Sequence, residues 1–255
     1  MFFSGSSFIG IDPTAGRRPF SYAALDSDLN LTALGSGNVE EVLAFTAGQH
    51  QSVVAVCAPR RPNQRLMERS ELRDSLNPPP RPGRWTNFRL AEYLLRQHNI
   101  SCYKTPSDAK ACPNWMKVGF HLYHRLEQMG FIAYPSPESA LQWLEVYPHA
   151  CFCSLLGHAP LPKHTLEGRL QRQLVLHQLK LSVHDPMDFV KGITPQNILQ
   201  GDFSTIQIYT TGELDALAAA YTAWQAVTHP DQITGLGEAS EGVVFLPVSE
   251  LKRRY

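Results

Sequence analysis

The run Phe8-Ile9-Gly10-Ile11 is continuously apolar and is stopped by Asp12-Pro13. A short strand without polar alternation is buried on both faces, so it belongs inside a sheet that helices cover on each side. That requirement points to an α/β chain. It also leaves the Asp12 carboxylate at the strand's C-terminal end, where open α/β sheets bind ligands. Pro13-Thr14-Ala15-Gly16 is turn chemistry, and residues 20–25 and 29–34 read as two further short strands separated by Asp26-Ser27-Asp28. The expected start is a three-strand meander.

Asn38, followed three residues later by Glu41, has capping-box spacing and opens a helix with Val39, Val42, Leu43 and Ala47 on its apolar face. A fourth strand is expected over 52–57. Further on, helices over 87–98, 114–129, 148–156, 165–181 and 213–227 alternate with strands over 100–104, 131–134, 143–147 and 242–246. Such alternation implies parallel strands with helical crossovers. The 255 residues are expected to form a single domain, with no linker favouring two.

Lysine plus arginine and aspartate plus glutamate both number 23, so any strong charge is local. Residues 58–86 concentrate it. This proline-rich insertion has no convincing strand and is too long for an ordinary connection. It holds Arg60, Arg61, Arg65, Arg69, Arg73, Arg81 and Arg84 against Glu68, Glu71 and Asp74. Phosphate contacts dominate nucleic-acid affinity, so Arg60, Arg61 and Arg65 are candidates to bind a polyanion, and a solvated loop is the ordinary alternative. Five scattered cysteines do not form a disulfide framework. No apolar run is long enough to span a membrane, and the N-terminus lacks the basic start and apolar centre of a signal peptide. A cytoplasmic location is expected.

Three antiparallel strands, a helix, a parallel strand and then alternating helices and strands is the element order of the ribonuclease H-like fold. Gly10-Ile11-Asp12, Glu145-Val146-Tyr147-Pro148-His149, Lys163-His164-Thr165-Leu166-Glu167-Gly168-Arg169 and Leu214-Asp215-Ala216-Leu217-Ala218-Ala219-Ala220 together resemble the family called domain of unknown function 429. That family is generally described as predicted nucleases of ribonuclease H-like fold. The resemblance covers most of the chain. It implies a mixed central sheet with helices on both faces, a C-terminal elaboration, and hydrolysis of phosphodiester bonds.

Nucleases of that fold hold two divalent metals with clustered carboxylates, and hard Mg²⁺ or Mn²⁺ prefers oxygen ligands. Asp12 is the first candidate, against the alternative of a turn aspartate beside Pro13. Asp215 is expected in the first turn of the last helix, where the helix dipole alone would also stabilise it. The alanines that follow let that helix lie close to the sheet and bring Asp215 near Asp12. Glu145, within an apolar strand, needs solvent, a cation or a metal. Glu92, on an amphipathic helix, is either a further acid of the site or a solvated one. Cys57 ends the fourth strand where such nucleases commonly place a second acid, and a thiol suits Mg²⁺ poorly. Either Glu145 or Glu92 replaces that acid, or metal binding is weakened. The bland alternative for Cys57 is a small buried hydrophobe.

The resemblance favours Lys163, Glu167 and Arg169 as functional. Arg169 and Arg172, three apart on a helix, can both face a phosphate, the alternative being a solvated face. Cys102, Cys112, Cys151 and Cys153 lack the paired spacing of a zinc site. The leading expectation is therefore a metal-dependent nuclease with nucleic acid as partner. A binding module of the same shape without chemistry is the second possibility. An actin-like or sugar-kinase-like ATPase is the third, and a single meander argues against it.

Overall fold

The computed structural model describes residues 5–14, 19–81, 83, 85–201 and 207–255. Residues 1–4, Ala15 and Gly16 of the expected turn, and Arg84 of the arginine-rich insertion lie outside the described residues.

The meander consists of β1 (Ser7–Asp12), β2 (Phe20–Leu25) and β3 (Leu31–Gly37), paired antiparallel. Helix α1 (Val39–Ala47) begins at the expected capping box, in which Asn38 Oδ1 accepts from Glu41 N and Glu41 Oε2 accepts from Asn38 N. β4 (Ser52–Val56) then pairs parallel to β1. The later elements are α2 (Ser70–Ser75), α3 (Leu90–Gln97), α4 (Asn114–Gln128), β5 (Ile132–Ala133), β6 (Leu141–Val146), α5 (Pro148–Leu156), α6 (Leu166–Gln178), α7 (Pro186–Lys191), α8 (Pro195–Gln200), α9 (Thr211–Thr228), β7 (Thr234–Glu238) and β8 (Gly242–Leu246). The architecture is mixed α/β. One sheet runs β3-β2-β1-β4-β6-β8-β7, with β5 paired to β6 off that path.

Side-chain alternation divides the core into two layers. Phe8, Ala55, Leu144 and Val146 face α9 and α5, in a cluster with Ala216, Ala219, Ala220 and Phe152. Ile9, Ile11, Val54 and Val56 face α1 and α4, against Val42, Leu43, Leu122 and Leu126. Burial on both faces is what the uninterrupted apolar strands required. No helix among the described residues is long and apolar enough to cross a membrane.

The structure departs from the sequence expectations at several places. Residues 100–104 are not a strand. Ile100 and Cys102 are buried, but the segment is tied to α3: Cys102 Sγ donates to Glu92 O at 3.3 Å, and Thr105 N donates to the Glu92 carboxylate at 3.1 Å. The insertion has structure of its own. It contains a 3-10 turn at Leu66–Glu68 and helix α2, and its Met67 packs with Leu90 and Tyr93 in a small separate cluster. Helix α9 starts two residues before its expected beginning, capped by Thr210 with Glu213 completing a capping box. Asp215 thus sits past the first turn, where the dipole has less to offer it.

Candidate functional site

β1, β4 and β6 run in the same direction, so their C-terminal ends share one edge of the sheet. At that edge Asp12, Cys57 and Asp215 line a cavity of about 1020 Å³ together with Lys163, whose segment connects α5 to α6. Glycine makes this convergence possible. A Cβ on Gly10 would run into the Ala216 carbonyl oxygen, so only glycine lets α9 lie across β1 at that point. A Cβ on Gly212 would collide with Ser21 Oγ and lie 3.6 Å from Asp12 Oδ2, which places the start of α9 against the Asp12 carboxylate.

The electrostatics follow from burying two acids beside one base. Burial and then the charge of Asp215 push the Asp12 carboxyl up to about 7, against a hydrogen bond from Thr14 N at 3.2 Å and the charge of Lys163. Burial also raises Asp215, which is 7% exposed, although Lys163 Nζ donates to its Oδ2 at 3.1 Å. Burial depresses the Lys163 ammonium, but Asp215 and Asp12 outweigh that and hold it above its ordinary value. Cys57 is buried alongside, with Sγ donating to Asp215 O at 3.7 Å. Burial and then the two aspartates hold its thiol protonated. A protonated, buried thiol is not a nucleophile.

Asp12, Asp215 and Lys163 are thus brought together, and Cys57 stands where strand order expected it. Glu145 is not brought to them. It sits on β6 beside Val56 and one residue from Val146, so it emerges on the α1/α4 face, whereas Asp12 and Cys57 emerge on the α9 face. Its carboxylate accepts from Arg89 Nη1 at 2.7 Å and Nη2 at 2.9 Å, and from Arg60 N at 3.0 Å. The partner that burial demanded is an arginine. Glu92 is also engaged structurally. It caps α3 through Arg89 N at 3.1 Å and accepts from Thr105 N and Oγ1.

The arginines divide in the same way. Arg60 pairs with Glu127 at 2.9 Å and lies 4.6 Å over the Trp143 ring. Arg61 donates to Ser240 O at 3.2 Å, and Arg65 to Ser107 Oγ at 3.3 Å. None of the three lines the cavity. Arg172 does, buried, with Nη1 donating to Leu161 O and Gly168 O at 2.8 Å. Arg169 is partly buried and Glu167 exposed, both away from the cavity wall. The sequence reasoning passed over Tyr103 and Trp115, which line the cavity with Tyr147 and His149. Their separation of some dozen residues carries no periodic signal.

The donor set decides what ion fits. Among the described residues there is no group of three or more His, Cys, Asp or Glu side chains able to hold a metal. Two carboxylates converge, with the Lys163 ammonium bonded to one of them and the Arg172 guanidinium acting on it from the same cavity. Carboxylate oxygens are the donors a hard divalent cation such as Mg²⁺ takes, usually one or two of them with water completing its shell.

The fold and site define a mixed α/β protein with an acidic, lysine-bearing cavity at the C-terminal edge of its parallel strands. The chain belongs to the family described as protein of unknown function DUF429, whose model matches residues 10–240. No curated protein and no solved structure matches it significantly.

Proposed function

We propose that this protein hydrolyses phosphodiester bonds in nucleic acid, using one Mg²⁺ or Mn²⁺ ion held by Asp12 and Asp215. The observation that carries this reading is the convergence of two buried carboxylates with Lys163 in an open cavity at the sheet edge. The sheet order β3-β2-β1-β4-β6 supports placing the fold with ribonuclease H-like proteins. A divalent ion held by Asp12 and Asp215 would supply charge stabilisation at the phosphoryl group and would activate water for attack. Lys163, half-exposed, orients Asp215 and offers its remaining N–H groups to a phosphate oxygen. Arg172 braces the loop that carries Lys163 through its bond to Leu161 O.

Cys57 in place of an acid favours a second reading, a nucleic-acid-binding module of the same shape without turnover. Calorimetric titration with Mn²⁺ and cleavage of end-labelled oligonucleotides, each with wild-type protein and Asp12→Asn, separate the two. Hydrolysis expects Mn²⁺ binding and cleavage that both vanish in the variant. Nucleic-acid binding with no cleavage in any divalent cation would overturn the hydrolase in favour of the module.

A further inference from the structure

Beside its charged groups the cavity is lined by a row of aromatic rings. Trp115, in the first turn of α4, meets Tyr103 edge-to-face with centroids 4.9 Å apart. Tyr103 meets Tyr147 in the same manner at 5.1 Å, and Tyr147 meets His149 at 6.0 Å. The row crosses the sheet edge from one face to the other, since Trp115 packs against the α1/α4 layer and Tyr147 against the α9 layer. All four residues are partly exposed and all four line the cavity that holds Asp12, Asp215 and Lys163.

We propose that this row is a nucleobase-binding wall, so that the substrate is single-stranded or locally unpaired nucleic acid. One base lies against Trp115, Tyr103 and Tyr147 while the adjoining phosphodiester reaches Asp12, Asp215 and Lys163. This rests on the phosphodiester reading of the site. Aromatic side chains hold unpaired bases by stacking, whatever the base, because each has a π face. In a duplex those faces are covered by neighbouring pairs, and a base must leave the stack to use such a wall. The arginines agree. Arg60, Arg61 and Arg65 are bonded within the protein rather than arrayed along a groove, so the structure offers a pocket for a base more than a track for a duplex backbone. Lys163 and Arg172 supply cationic groups for the phosphate in the same cavity.

Fluorescence anisotropy tests this with labelled oligothymidylate, oligouridylate, an oligomer of abasic sites and a thymidylate–adenylate duplex. Binding is measured in Ca²⁺ and cleavage separately in Mn²⁺. The expected result is binding of one or both intact single strands about tenfold or more tighter than of the abasic strand or the duplex, the size of one base–aromatic stack. Trp115→Ala should remove most of that margin, leave abasic binding unchanged, and be rescued by Trp115→Phe. The DNA and RNA strands report which sugar is preferred. Equal binding of intact and abasic strands, or a margin untouched in folded Trp115→Ala and Trp115→Phe proteins, overturns the proposal. Base-dependent binding without cleavage in Mn²⁺ overturns the hydrolase and keeps the wall. Cleavage of duplex and single strand at equal rates does the reverse.

Discussion

Gly10 of β1 and Ala216 of α9 meet backbone to backbone, with no room for a side chain between them. The contact lies two residues before Asp12 and one after Asp215, so the spacing between strand and helix also sets the spacing between the two acids. Among the described residues, α9 packs against β1 more extensively than any other helix packs against a strand.

Gly10→Ala should therefore cost about 3 kcal/mol or more, because backbone rather than a flexible side chain has to move. Urea denaturation measures the loss. In whatever fraction remains folded, Mn²⁺ binding should weaken with it, whereas an unrelated destabilising change such as Val42→Ala should leave binding intact.

The buried carboxyl of Asp12 makes stability depend on pH in a definite direction. Its folded pKa, about 7, lies above the unfolded value of about 3.9, so the folded chain holds that proton more tightly. The resulting stabilisation is complete below about pH 4 and is lost as pH rises through about 7. In EDTA, the melting temperature of the wild type should fall relative to Asp12→Asn between about pH 5 and about pH 8, a range that brackets the folded value. Mg²⁺ should restore it more at the upper end, where it no longer competes with the proton. Parallel curves for the two proteins would remove the cause.

Glu145→Gln distinguishes an ion-paired acid from a ligand. The change leaves Arg89, wholly buried, without its counter-charge, and should cost about 3 to 5 kcal/mol. Calorimetric titration should give Mn²⁺ affinity close to that of the wild type, because Glu145 faces the other layer of the core. A large drop in affinity with little loss of stability would reverse that assignment.

Much of the fold was legible because its signals are local. The limits of Phe20–Leu25, Pro148–Leu156 and Gly242–Leu246 follow from apolar runs bounded by turn residues, and the Asn38–Glu41 box is a matter of spacing. The features that escaped depend on partners distant in sequence. Glu145 required a partner by its burial, but nothing near it in the chain identifies Arg89. Residues 100–104 have strand composition and no strand beside them to pair with. β7 escaped because its two glycines and two polar residues hide a strand that exists through pairing with β8. The short helices α7 and α8 fall below the length at which periodicity is readable. Thr210 and Glu213 did carry the start of α9 in their spacing, so its expected boundary was late for want of applying a visible rule.

Cys57→Asp probes the place where an acid was expected. The new carboxylate would join Asp12 and Asp215, the two charges that already raise the Cys57 thiol, so in EDTA it should lower the melting temperature through repulsion and desolvation. With Mg²⁺ it adds a hard oxygen ligand, and the same protein should be stabilised more by the ion than the wild type is. A variant that is destabilised and gains nothing from Mg²⁺ or Mn²⁺ would favour the binding module.

The meeting of Asp12 with Asp215 has a consequence for synthesis. The two acids are separated by some two hundred residues of chain, and neither strand nor helix can build the site alone. A growing chain carries only one of the two acids until α9 has emerged and settled on β1. The two carboxylates face each other only once that docking is complete, so the site and the packing of α9 on β1 come into being in one step.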